Sequence, residues 1–280
     1  MNRKIVVLGV GFKTSSDYLL GDSIFETRDV KVNIGAACAR QLAAAGHDLI
    51  IIARTQDRID KVKEDLLALY PDRKIEARAL DALNAEEVSG FFASLDPDCH
   101  YDYVHSAGLG AGAYRIKDDN PYLPFEEIPI DLPCKEYEAV VKSLFSFVNG
   151  FLPFFRRQER SKVVVVNSMS GIRPYSFGFS HAAAKAGLHN AVKSLTLEFC
   201  KEHIYFSEVN PGMVDTGAYD GQPVIDSVQR ISEEFGYHYD QLPQMSPYAV
   251  GDAVKLCLES EAHLLELNLV AEGQFPHSGA

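Results

Sequence analysis

In the stretch SFGFSHAAAKAGLHN (176–190), His181 and Lys185 stand four residues apart. A helix with that spacing puts both side chains on one face, one turn from each other. Alanines fill the interval, small enough for close packing against a ligand. Imidazole is a competent general acid or base, with an ordinary pKa of about 6.5. A neutral His181 can take a proton from an alcohol, or donate an N–H hydrogen bond to a carbonyl oxygen. The plain alternative is a polar first-turn residue with no chemistry. The histidines His47, His100, His189, His203, His238, His263 and His277 show no metal-ligand spacing among themselves, so no metal is expected.

The chain around this pair alternates short β-rich runs with helical patterns. The strand candidates are 4–9, 48–54, 74–80, 101–108, 162–168, 204–212 and 267–273. The helical runs are 33–47, 55–71, 84–97, 134–155, 180–202 and 246–260. Near-continuous apolar strands, each followed by a helix, predict an α/β fold: a doubly wound parallel sheet of about seven strands with helices on both faces. Ligands of such sheets bind at the carboxyl ends of the strands, near the switch point. Two segments break the rhythm, an insert at 10–32 and a long connection at 217–246. A βα loop normally takes about 2–6 residues, so segments this long read as functional. The Tyr- and Phe-rich 219–239 stretch reads as part of a substrate lid.

The 280 residues suit one large domain, with 46% hydrophobic and 24% charged residues supplying a sizeable core. A net charge of −12 argues against a nucleic-acid partner, which needs a basic face. The apolar run at 140–155 contains Lys142, Asn149, Gly150 and Pro153, so no membrane span is expected. Five scattered cysteines with no CxxC pair suit free thiols in a reducing compartment, hence the cytoplasm. The strand pattern RKIVVLG begins almost at once, so no signal peptide is expected.

The order of these elements, with the motifs ARQLAAAGHDLIIIAR, LDA (80–82), HSAG (105–108), VVVVNSMSG (163–171), HAAAKAGL (181–188) and VNPGMVDT (209–216), resembles a short-chain dehydrogenase/reductase over roughly residues 3 to 273. The resemblance implies a Rossmann-type fold and a nicotinamide cofactor. Its glycine motif lets backbone approach the pyrophosphate at a helix N-terminus. Gly9 matches the first glycine and Gly35 the last, Asn33 stands at the middle one, and about twenty extra residues separate the ends. The insert either folds over the phosphates, with Thr14, Ser15 or Ser16 supplying hydroxyls, or abolishes the site.

Arg54 ends the second strand candidate, where the family reads the adenosine ribose. An arginine there can pair with the 2′-phosphate of NADP, so NADP is expected and NAD remains possible. An arginine merely meeting solvent at a strand end is the alternative. Asp81 matches the aspartate that contacts adenine. Ala107 and Gly108 keep the small residues of the Asn-Asn-Ala-Gly motif, whereas His105 and Ser106 replace the asparagines. Pro211, Gly212 and Thr216 match the loop around the nicotinamide.

In the resembled family a tyrosine gives the proton, a lysine one turn later tunes it and holds the ribose, a serine binds the substrate oxygen, and an asparagine supports a water relay. Ser168 matches the serine and Lys185 the lysine. His181 occupies the tyrosine position, and the asparagine position falls near Val140 or Val141. Tyr175 is an alternative tyrosine. The implied function is an NAD(P)-dependent oxidoreductase interconverting a carbonyl and a hydroxyl on a small to medium, partly apolar substrate. The alternatives are a non-redox isomerase, dehydratase or lyase, and an inactive cofactor- or partner-binding homologue. The resemblance also implies a homodimer or homotetramer, built through the 134–155 and 180–202 helices.

Overall fold

The computed structural model describes residues 3–14, 22–110, 113 and 115–274. Ser15 and Ser16 lie outside the described residues. Seven strands form one parallel sheet: β1 (Arg3–Leu8), β4 (Asp48–Ala53), β5 (Ile75–Ala79), β6 (His100–His105), β7 (Ser161–Val166), β8 (Ile204–Pro211) and β9 (Glu266–Leu269). Their order is β5-β4-β1-β6-β7-β8-β9. The chain leaves β1 toward β4 on one side and returns to β6 on the other, so the switch point lies between β1 and β6.

The near-continuous apolar runs become strands because both sheet faces are covered. One face packs α1 (Ile34–Ala44), α2 (Gln56–Leu69) and α8 (Pro247–Glu259) against Ile5, Val7, Leu49 and Ile51. The other packs α3 (Ala85–Ala93), α5 (Ser143–Phe155) and α6 (Phe179–Phe199) against Val6, Ile50, Tyr103 and Val165. Among the described residues, no helix is long and apolar enough to cross a membrane.

The irregular segments hold structure that periodicity did not reveal. Within the 10–32 insert, β2 (Phe12–Thr14) pairs antiparallel with β3 (Val30–Val32). Phe12, Val30 and Val32 turn into the core while Lys13 and Lys31, directly opposite one another, turn out. The 217–246 segment contains α7 (Gln222–Glu234), whose Val224 and Val228 pack with Tyr219 of the same segment and, from outside it, Met213 and Tyr122.

The helix expected over 134–155 is three pieces: α4 (Leu132–Tyr137), a π-helical turn at Glu138–Lys142, and α5. An extra residue in the π-turn turns a carbonyl out of the helical ladder. The fully buried His105, at the end of β6, meets that carbonyl: its Nε2 lies 2.9 Å from Val140 O. A carbonyl only accepts, so Nε2 carries the proton; Nδ1 then accepts from the Tyr103 hydroxyl at 2.7 Å. Burial, with Lys185 nearby, pushes the His105 pKa down to about 3, which keeps the ring neutral. His105 is thus tied to the backbone of Val140, one of the two residues between which the resemblance leaves the asparagine position.

Candidate active site

At one end of the site, Gly9 follows β1 with φ +92, and a Cβ there would lie 2.3 Å from Ser106 O. A Cβ on Gly35 would lie 2.4 Å from Gly9 O. The two glycines therefore let the β1 turn and α1 touch through backbone. Asn33 caps α1: its Oδ1 accepts from Ala36 N at 2.9 Å and Gly11 N at 3.0 Å, and its Nδ2 donates to Gly9 O at 2.8 Å. The middle-glycine position thus carries a side chain that holds the turn together. The N–H groups of Ile34 and Gly35, in the first turn of α1, have no acceptor within the helix and suit an anion.

A cleft of about 620 Å³ runs from this turn across the carboxyl ends of the strands. Gly9, Asn33, Arg54, Asp81, Ala107, Gly108, Pro211, Gly212 and Thr216 all line it, as do Ser168, His181 and Lys185. Gly35 does not; it sits behind Gly9. Lys13, Lys31, Thr55 and Arg58 also line the cleft, and Arg58 donates to Phe12 O at 3.0 Å. Asp81 caps its own loop by accepting from Leu83 N at 3.0 Å.

At the other end, Ser168 opens a short 3₁₀ turn, Met169–Gly171, and its Oγ accepts from Ser170 Oγ at 2.9 Å. A Cβ on Gly171 would lie 2.7 Å from Lys185 O, so this turn and α6 meet backbone to side chain-free backbone. Lys185 is buried, with Nζ 3.5 Å from Val166 O. Burial lowers its pKa, and the carboxylates of Glu136 and Glu208 act against that shift. His181 lies in the first turn of α6, its Nδ1 3.3 Å from Oε1 of the buried Glu136.

Beyond His181 the cleft opens into a smaller pouch of about 70 Å³, lined by Ser168, His181, Met169, Met213 and three tyrosines. Tyr122 hydrogen-bonds with both Tyr175 and Tyr219. Burial raises the pKa of all three, that of Tyr219 to about 12, so each enters the pouch as a neutral phenol. The pouch offers hydroxyls and an imidazole around one small space with apolar walls, and the Lys185 ammonium belongs to the larger cleft.

A family model described as short chain dehydrogenase matches residues 31–222, more than half of the chain. The chain belongs to the short-chain dehydrogenase family. An uncharacterized oxidoreductase of Mycobacterium tuberculosis (strain ATCC 25618 / H37Rv) is 28% identical over 65% of this chain and 70% of its own. Among solved structures, an NADPH-bound short chain oxidoreductase from Pseudomonas aeruginosa PAO1 with an atypical catalytic center aligns over 99% of this chain and 97% of its own, at a TM-score of 0.74 and 20% identity. L-sorbose reductase from Gluconobacter frateurii, complexed with NADPH and L-sorbose, covers 98% and 96%, at 0.73 and 20%. At such identity these two structures show the fold.

Within this dehydrogenase-family site, several lining residues escaped the sequence reading. Lys13 and Lys31 enter only because the insert folds as a hairpin. Tyr122 comes from a loop that the pattern did not single out, whereas Tyr219 belongs to the Tyr- and Phe-rich 219–239 stretch that did stand out. Glu136 stands between Lys135 and Tyr137, both exposed, and had no signal in the pattern. The fold also gathers ligand-type atoms of His189, Glu208 and Glu266 within 4.8 Å of one another, a grouping no spacing revealed. There His189 Nδ1 lies 2.6 Å from Glu208 Oε2, and Asn167 links Glu208 to Lys185 O.

Proposed function

We propose that this chain is an NADP-dependent reductase or dehydrogenase that interconverts a carbonyl and a hydroxyl on a small to medium, partly apolar substrate, with His181 in place of the usual tyrosine. The observation that carries the reading is the meeting of Ser168, His181 and Lys185 on one cleft that begins at the N-terminus of α1. The residues present fit a dinucleotide: glycines that a Cβ would block, open N–H groups at α1, and Arg54 and Arg58 beyond β4 for a 2′-phosphate. The Pseudomonas and Gluconobacter neighbours are NADPH complexes, which supports the preference. NAD stays open as a weaker ligand.

NADPH, when bound, supplies the hydride. Ser168 orients the substrate oxygen through its hydroxyl. His181 gives that oxygen a proton in reduction and removes one in oxidation. Lys185 holds the ribose and, as a buried cation, shapes the field at His181. Asp81, Ala107, Gly108, Pro211, Gly212 and Thr216 line the path of the cofactor from adenine to nicotinamide. Tyr175 is the rival proton donor, because its neutral hydroxyl shares the pouch with Ser168 and His181.

The test begins with fluorescence titrations of NADPH and NADH. Absence of binding at millimolar cofactor would sink the reading. His181→Phe and Tyr175→Phe are then compared on a carbonyl panel. Loss of turnover in His181→Phe alone supports His181; loss in Tyr175→Phe alone transfers the role to Tyr175.

We further propose one dinucleotide-binding domain, with the hairpin insert and the 217–246 lid closing over it, that assembles as a homodimer or homotetramer. Exposed Tyr137, Phe145 and Leu197 on the α4–α5 and α6 surfaces support the assembly. None of the five cysteines is in a disulfide, which suits the reducing cytoplasm.

A further inference from the structure

A carboxylate is rarely buried without a reason, because leaving water costs more than an isolated pairing returns. Glu136 is 1% exposed, on a six-residue helix whose neighbouring positions Lys135 and Tyr137 face solvent. One oxygen lies 3.3 Å from His181 Nδ1, and the other, also buried, has no hydrogen-bond partner among the described residues. An apolar side chain would fill this place at no electrostatic cost, so packing does not account for Glu136. Among the described residues, His181 on α6 lies beside it, and its charge favours the ammonium form of the buried Lys185, also on α6.

We propose that Glu136 is the positioning residue for His181, holding the imidazole with its proton on Nδ1 and its Nε2 edge toward the cleft. This rests on the reading of His181 as the proton carrier. An ionised carboxylate can only accept a hydrogen bond, so Nδ1 must donate. In a neutral ring Nε2 then holds a lone pair, the atom that removes a proton from an alcohol. After that transfer the ring carries N–H on both nitrogens, and the carboxylate stabilises the positive charge. In the reverse direction the Nε2–H bond breaks as the proton passes to the substrate oxygen, and the ring returns to its Nδ1–H form. The lone pairs and protons balance without a water relay, which fits a site where a valine, Val140 or Val141, stands at the asparagine position. His181 keeps a third of its side chain exposed in the cleft and can exchange its proton there with water.

The experiment uses the full chain labelled with ¹⁵N-histidine, with the His181 ring signals assigned by difference against His181→Phe. The expected wild-type spectrum at neutral pH shows the proton on Nδ1. Glu136→Met moves it toward Nε2, and Glu136→Leu repeats the reading if the first variant does not fold. Glu136→Gln keeps an acceptor without the charge, so the tautomer stays while kcat falls about 10- to 100-fold and the NADPH Kd does not change. A wild-type proton on Nε2, or apolar variants with an unmoved tautomer, overturns the proposal. A tautomer that responds in a protein without carbonyl reduction would keep the pairing and discard the redox reading. Turnover indifferent to Glu136→Gln and to the apolar variants would do the reverse.

Discussion

Lys31 Nζ donates to Asp220 Oδ1 at 2.8 Å, tying the inserted hairpin to the loop that leads into α7. Lys13, its opposite number on β2, donates to Gly217 O at 2.9 Å. Arg115 reaches Ala218 O and Asp220 O from a third segment. The described part of the insert therefore meets the 217–246 segment directly, beside the cleft that Lys13, Lys31, Ala218 and Tyr219 line. Burial opposes the charge on Lys31, yet its bonds to Asp215 and Asp220 prevail and raise its pKa.

If NADPH occupies the proposed site, this clasp is expected to bear on cofactor release more than on stability. Lys31→Met is expected to raise the NADPH dissociation rate several-fold in stopped-flow fluorescence. Its melting temperature should hardly change, because the pair is about half exposed and such pairs contribute about 0.2–1 kcal/mol. An unchanged release rate would show that the contact between Lys31 and Asp220 has no part in release.

Arg54 decides between the two nicotinamide dinucleotides if it meets the 2′-phosphate. Arg54→Ala should weaken NADPH by about 10- to 100-fold, the loss of a hydrogen bond to a charged group worth roughly 1.5–3 kcal/mol. NADH affinity should stay the same. Equal weakening of both ligands would return Arg54 to the role of a solvent-facing strand end.

Gly35 has no room for a methyl group. Gly35→Ala puts a Cβ 2.4 Å from Gly9 O, where backbone must shift on one side or the other. Overpacking of this kind costs about 1–3 kcal/mol. Urea unfolding should show that loss, together with weaker NADPH binding from a displaced α1 N-terminus. A variant as stable as the parent would mean that the β1 turn is looser than the structure has it.

His105 should leave an acid signature in stability. Its folded pKa of about 3 lies below the ordinary value, so the unfolded chain binds more protons than the folded one between about pH 6.5 and 3. Folding stability therefore declines as pH falls through that window, by up to about 1.4 kcal/mol per pH unit for this one group. His105→Asn removes the titrating ring and keeps polar atoms near Val140 O. Urea midpoints from pH 6.5 to 4.5 should fall less steeply in the variant; parallel slopes would contradict a neutral buried imidazole.

Periodicity and local motif were enough for the sheet, because an apolar strand followed by an amphipathic helix carries its burial pattern along the chain. All seven strands appear close to their expected places, although the strand expected over 267–273 is only Glu266–Leu269, at the sheet edge. That Ser168, His181 and Lys185 meet on one cleft was also legible, since the turn after β7 and the first turns of α6 follow one another in sequence.

What the tertiary structure alone decided concerns residues whose partners are distant or whose local pattern is ambiguous. Lys13 and Lys31 became cleft residues only when two three-residue strands paired across the insert. Val140 accepts from His105 because a π-turn rotates its carbonyl, an event with no sequence period of its own. Glu136 lies forty-five residues from His181, and polarity along the chain places it with the solvated charges of its helix. Its burial is set by how α4 packs on α6, and neighbours brought together by packing leave no mark in the spacing of either one.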